Sequence, residues 1–153
     1  MNFKLIIRGG WESSYMRNTV CKQFESVVPA SLRAVIKSVT KYTENKGGNI
    51  SGAEEKITAT EDVMFLLGEF EILGVRQQGN PYEASKQKQY AYYAAGNSKA
   101  KYRHSAPNAL ASPWTRSTKD KDYRAYIIMY GANARAEGRR AMYSYGFSPA
   151  FCV

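Results

Sequence analysis

At 153 residues, 44% hydrophobic and 23% charged, the chain has the size and composition of one globular domain, with no linker or internal repeat dividing it. No stretch approaches the roughly eighteen apolar residues of a membrane span, and the apolar run in MNFKLIIRGGW is too short for a signal peptide, so a soluble chain without membrane insertion is expected. Cys21 and Cys152 are too few for a disulfide framework and match no metal or redox spacing, which leaves two buried free thiols.

Phe3–Ile7 reads as a short strand ended by Gly9 and Gly10. Met16, Val20, Cys21 and Phe24 then fall on one stripe of a helix from about Glu12 to Ser26, with Ser13 or Ser14 available as its cap. Pro29 suits the first turn of a second, shorter helix through Ile36, turning Leu32, Val35 and Ile36 inward. Ser38–Thr43 is β-branched and reads as a strand, and the polar, glycine-containing stretch from Glu44 to Thr60 reads as a surface loop. Val63–Leu67 is a continuous apolar run, either a buried strand or the edge of the core. Glu69–Leu73 fits one helical turn stopped by Gly74.

Asn80 and Pro81 open a predicted helix from Tyr82 to Ala95 that stops at Gly96, with Tyr82, Ser85, Gln89, Tyr90 and Tyr93 inward. Ser98–Ser112 has no clear period. Beyond it Tyr126–Tyr130, Ala141–Tyr145 and Phe147–Val153 are strand candidates, with a turn-rich loop over Gly131–Gly138. Helices early and short strands late predict an α+β fold, not alternating β-α units.

Charge is uneven along this order. Between Lys99 and Arg140 ten basic residues face three acids, so this third of the chain carries +7 of the net +9. Twelve of the twenty aromatic residues are tyrosines, a type that suits surfaces with one dry and one wet side. Lys119, Lys121, Tyr123, Arg124, Asn133, Arg135, Arg139, Arg140, Tyr143 and Tyr145 therefore form either a solvated basic face or a ligand-binding one.

The segments GGWESSYMRNTV, VVPASLRAVIKSVTKYTEN, ITATEDVMFLLGEFEILG, QYAYYAAGNSKAKYRHS, PWTRST and YGFSPAFCV follow in a fixed order. That order, over roughly Gly9–Val153, resembles an uncharacterised lectin-like domain family of gut bacteria and their phages. The resemblance implies a C-type-lectin-like fold, similar to formylglycine-generating enzymes and phage tropism proteins. Two main helices would flank a small, mostly antiparallel sheet, with the N- and C-terminal strands paired and a loop-rich C-terminal face holding the ligand. Within it Trp11, Trp114, Arg116, Pro149 and Phe151 are expected to be structural, with the Trp114 ring in the core and the Arg116 guanidinium on nearby carbonyls.

The sequence departs from that pattern in a short start before Gly9, in Gly68 at a position where a capping Ser is common, and in Ser148 where an Arg is common. The short start leaves room for a second copy, or a partner phage or surface protein, to supply a strand.

Catalysis finds little to build on. His104 has no Asp, Glu, Cys or His at ligand or triad spacing, so a hydrogen-bonded structural role is expected. Glu69 and Glu71 are expected to cap or to form ion pairs. The enzymes of the related fold use a close cysteine pair, whereas Cys21 lies on the predicted first helix and Cys152 one residue from the end. The EPN, QPD and WND motifs of calcium-dependent lectins are missing, and no metal or cofactor is expected. The expected function is a non-enzymatic domain of a phage tail or bacterial surface protein that binds a host-surface protein or glycan. The alternatives are a tail decoration without its own ligand and, on charge alone, a nucleic-acid-binding module.

Overall fold

The computed structural model describes residues 9–46, 53–119 and 125–153, without the side chains of Ala125 and Ile127. The predicted strand Phe3–Ile7 and its pairing with the C-terminal strand lie outside these residues, as do Lys121, Tyr123 and Arg124.

The first predicted helix is present but changes pitch. A π-helical turn, Met16–Cys21, runs directly into α1, Lys22–Val27. Ser14 caps it, its hydroxyl accepting from the Arg17 N–H at 3.1 Å. Met16 and Cys21 are buried, whereas Phe24 at the far end stays exposed and meets the Phe147 ring edge-on at 5.7 Å. The second helix is shorter than expected: α2 spans Ala30–Arg33, with Leu32 and Ile36 packed on the core and Val35 exposed.

Strand β1 (Val39–Glu44) pairs antiparallel with β2 (Ile57–Asp62) without interruption, from Val39↔Asp62 to Glu44↔Ile57. The loop expected over Glu44–Thr60 is therefore strand at Glu44 and over its last four residues, and Glu44, Asn45, Lys56 and Thr60 are buried. Polarity misled here, because these side chains find polar partners inside the fold: Lys56 and Asn80 for Glu44, Thr58 for Asn45 and Asp62 for Thr60. The run Val63–Leu67 contributes only β3 (Phe65–Leu66), which is fully buried. One helical turn, α3 (Glu69–Leu73), follows as predicted, and Gly74 ends it in the left-handed conformation at φ 71°.

The long helix expected over Tyr82–Ala95 is instead two single turns, α4 (Pro81–Ser85) and α5 (Ala91–Ala94). Bonds to other elements hold the stretch between them: Gln87 Nε2 donates to the Tyr42 carbonyl, Gln89 Nε2 to the Ile72 carbonyl, and the Tyr90 N–H to the Glu71 carbonyl. Tertiary partners outweigh helix propensity here. Tyr82 and Ser85 consequently face solvent, and Glu83 takes the inward position.

The aperiodic stretch after Gly96 folds into a hairpin of β4 (Lys101–Arg103) and β5 (Ala106–Ala111), with His104 and Ser105 at its tip. Most of its residues are exposed or half-buried, which erases the alternation that marks a half-buried strand. His104 is exposed there, a correction to the structural role expected of it.

The principal sheet has the order β6-β7-β8, formed by Trp114–Thr118, Ala125–Tyr130 and Arg135–Arg140, all antiparallel. Strand β8 occupies a stretch expected to be loop, while the candidate Ala141–Tyr145 is a turn. Charged residues and Gly138 hide this edge strand from a hydrophobic count. The Lys119 stem lies over Gly138, its Cδ 2.3 Å from where a Cβ would stand, though that flexible side chain could move aside.

The strand expected over Phe147–Val153 reduces to β9 (Pro149–Ala150), paired with β3, plus a single bridge between Lys37 and Cys152. Pro149 has no N–H to extend a ladder. The end of the chain is nevertheless tied down, the Lys37 N–H donating to the Cys152 carbonyl at 2.8 Å.

Strand β7 separates two apolar clusters. Tyr126 and Ile128 join Trp11, Phe65, Leu66, Trp114 and Ala141 on one side. Met129 joins Ile72, Tyr93, Ala134 and Ala136 on the other. Alternation along one strand thus feeds both, as expected for a strand covered on both faces. The architecture is α+β, with small antiparallel sheets and short helices.

Candidate ligand-binding groove and the ionic core beneath it

Arg116 on β6 is completely buried, and its partners come from three other elements. Nε donates to Thr43 Oγ1 on β1 at 3.0 Å, and Nη1 donates to the Leu66 carbonyl on β3 at 2.9 Å and to Glu71 Oε2 on α3 at 2.5 Å. Lys41 meets the other Glu71 oxygen at 3.2 Å and donates to Tyr90 Oη at 2.8 Å, with its ammonium 4.0 Å from the centre of the Phe65 ring. Burial alone would raise the Glu71 carboxyl, but the Arg116 charge and hydrogen bond, with Lys41 behind them, hold it below its ordinary value of 4.5. Glu71 also accepts the Gly68 N–H at 2.9 Å, so the carboxylate covers the helix start that Gly68 has no side chain to cap.

Two further carboxylates brace the same region. Glu69 accepts the N–H groups of Gln77, Gln78 and Gly79 at 2.7–3.1 Å and fixes the loop after α3; burial raises its carboxyl against the pull of these donors. Glu83 accepts from Ser117 Oγ, from Gln87 Nε2 at 2.9 Å and from the Glu44 N–H at 3.2 Å, and burial likewise raises it. Glu69 and Glu71 thus act as the capping and ion-pairing groups expected of them. At the opposite end of β2, Asp62 gathers Trp11 Nε1 at 2.9 Å, Thr60 Oγ1 at 2.7 Å and Arg17 Nε at 2.6 Å. These carboxylates are committed to holding elements together.

An open groove of ≈ 670 Å³ lies between the β4–β5 hairpin and the turn joining β7 to β8. Arg103 and Leu110 form one wall, Tyr130 and Gly131 the other, and Ser112, Ser144, Tyr145 and Gly146 line the rest. The backbone of Ser112, Trp114 and Gly146 is already paired: Gly146 N–H donates to the Ser112 carbonyl at 3.0 Å and Trp114 N–H to the Gly146 carbonyl at 2.9 Å. Tyr145 stands edge-on to Trp114 at 5.1 Å, and Tyr130 and Leu110 are exposed.

The basic residues singled out in the sequence do not form one face. Arg135 lies directly opposite Tyr130 in the register, and Arg139 opposite Tyr126, so both share the side of the sheet on which Tyr130 borders the groove. Gly138 and Arg140 alternate to the other side, and Lys119 lies across Gly138. Arg139 pairs with Glu137, whereas among the described residues no carboxylate pairs with Arg103 or Arg135. Asn133 is exposed in the β7–β8 turn, Tyr143 is exposed beside Ser144, and Tyr145 is half-buried as a packing ring.

Of the residues expected to be structural, Trp11, Trp114 and Arg116 are buried, and Pro149 is half-buried in β9. Phe151 is 38% exposed, and the chain end contacts the fold through β9 and Cys152 on either side of it. Sequence reasoning did not single out Arg103, Leu110, Ser112, Tyr130 or Ser144 for the site. For Arg103, Leu110, Ser112 and Tyr130 the one signal was membership of the basic stretch Lys99–Arg140. Among the described residues no three His, Cys, Asp or Glu side chains cluster as metal ligands would.

These features define a small α+β domain built on an ionic core, with a wet, aromatic groove at one end of its main sheet. The chain belongs to the family described as Domain of unknown function (DUF6273), which matches residues 3–153. Comparison with curated proteins and with solved structures gives no match. Among the described residues, no helix is long and apolar enough to cross a membrane.

Proposed function

We propose that this chain is a non-enzymatic binding domain of a phage tail or bacterial surface protein, recognising a host-surface protein or glycan. The C-type-lectin-like arrangement and the phage or surface setting rest on the resemblance of the ordered sequence segments. The observation that carries the binding reading is the position of Arg135. It stands opposite Tyr130 at the groove, exposed and without a carboxylate partner among the described residues. An unpaired guanidinium beside an exposed ring is a combination that interfaces favour. The buried carboxylates, by contrast, are engaged in capping and ion pairing, which suits a rigid scaffold that displays this end of the sheet.

The test is binding to a host-cell and glycan array, using the protein and a variant carrying Arg135→Ala, Arg139→Ala and Arg140→Ala. The reading expects binding that the variant loses. Absence of binding at micromolar protein, or binding that the variant keeps, would overturn it.

A further inference from the structure

We propose that the groove between the β4–β5 hairpin and the β7–β8 turn is the seat of an acidic oligosaccharide, a short chain of carboxylated sugars. This deepens the binding reading above and rests on it. The volume of ≈ 670 Å³ falls within the roughly 300–1,000 Å³ of small-ligand sites and would hold a few sugar rings.

The lining chemistry narrows the class. Tyr130 offers a ring with a free face, and rings of this kind stack on the C–H face of a pyranose while leaving their hydroxyls wet. Ser112 and Ser144 add hydroxyls that can donate to or accept from sugar hydroxyls. Arg103 on one wall and Arg135 beside the other supply two guanidiniums whose planar forks match carboxylates.

The same features disfavour other occupants. A peptide adding itself as a strand needs unpaired backbone groups, and at the groove floor the Ser112 carbonyl, the Trp114 N–H and both Gly146 groups are already bonded to one another. A nucleic acid would draw on a row of cations, yet Lys119 and Arg140 lie on the opposite side of the sheet and Arg139 is paired with Glu137. The β7–β8 turn is also held in place: Ala134 adopts φ 49° with its side chain buried against Met129 and Ile72. The backbone that carries Arg135 is thereby fixed before any ligand arrives, which lowers part of the ordering cost of binding.

The experiment is isothermal titration of the full chain with trigalacturonate and, as the neutral counterpart, maltotriose. Trigalacturonate is expected to bind at least about tenfold more tightly than maltotriose, since only it engages the guanidiniums. Arg103→Gln and Tyr130→Ala are each expected to weaken it by about tenfold or more, while Lys88→Gln, an exposed lysine outside the groove, leaves it unchanged. Far-UV circular dichroism and urea titration of each variant establish that it is folded.

Equal affinity for the two sugars, no binding of trigalacturonate, or full affinity in a folded Arg103→Gln or Tyr130→Ala variant would overturn the assignment. If array binding still depends on Arg135, Arg139 and Arg140 when trigalacturonate fails, only the groove assignment falls. If both fail, the binding reading falls with it.

Discussion

Replacing Arg116 by Met probes the ionic core most directly. The side chain is completely buried and joins β6 to β1, β3 and α3 through Thr43, the Leu66 carbonyl and Glu71. Met fills a similar volume but donates nothing. Removing one partner of a buried ion pair costs about 3–5 kcal/mol, because the remaining charge stays desolvated. Lys41, 3.2 Å from Glu71, keeps part of that charge compensated and places the expected loss near the lower end, about 3 kcal/mol.

A domain of this kind has a total stability of about 5–15 kcal/mol, so the variant should fold, with a clearly lower urea midpoint and an unchanged m-value. Combined with Glu71→Gln, the double variant should recover at least about 2 kcal/mol relative to the sum of the two single losses. Acid titration supplies a second readout. The Glu71 carboxyl lies below its ordinary 4.5 when folded, so its contribution is present above pH 4.5 and is lost as pH falls through the lower, folded value. Without Arg116 that acid-induced loss should shrink. A loss below about 1 kcal/mol in Arg116→Met, or no coupling in the double variant, would refute the reasoning.

The tight approach of Gly10 to β1 and the contrast between the two thiols are testable in the same way. Gly10 has φ 47°, and a Cβ there would stand 2.2 Å from the Glu44 carbonyl oxygen, so Gly10→Ala should cost about 3 kcal/mol or more by urea denaturation. Gly96→Ala, at φ 82° with open space around it, should cost only the conformational penalty of about 1 kcal/mol. Burial pushes the Cys21 thiol up to about 12, whereas Cys152 is half-buried near the chain end. An aromatic disulfide reagent at pH 8 should therefore label Cys152 in the native protein and reach Cys21 only on unfolding, as quantified by mass spectrometry.

Several elements were legible because their signals are local. Glu69–Leu73 with Gly74 behind it, the β-branched run at Ser38–Thr43, the Ser14 cap and the apolar Tyr126–Tyr130 all carry their own propensity or period, and each folds where expected. Illegible elements depend on partners far along the chain. The stretch Lys86–Tyr90 leaves the helix because Tyr42, Glu71 and Ile72 claim its side chains and backbone. Strand β8 is an edge whose inward residues are mostly small, so hydrophobic counting passes over it and places the strand at Ala141–Tyr145 instead. Lys41, Glu44, Lys56 and Glu83 look like surface residues by type, and partners from other elements permit their burial: Glu71 for Lys41, Lys56 for Glu44, and the Ser117, Gln87 and Glu44 N–H donors for Glu83.

By itself the sequence determined the α+β class and the concentration of positive charge between Lys99 and Arg140. Composition and local propensity are properties of the chain before it folds. Only the tertiary structure decided that the basic residues divide between two sides of a sheet, and that Arg103 from one hairpin and Tyr130 from another share a groove. A side chain's direction on a strand is fixed by register, and register is set by pairing with residues that no local pattern names.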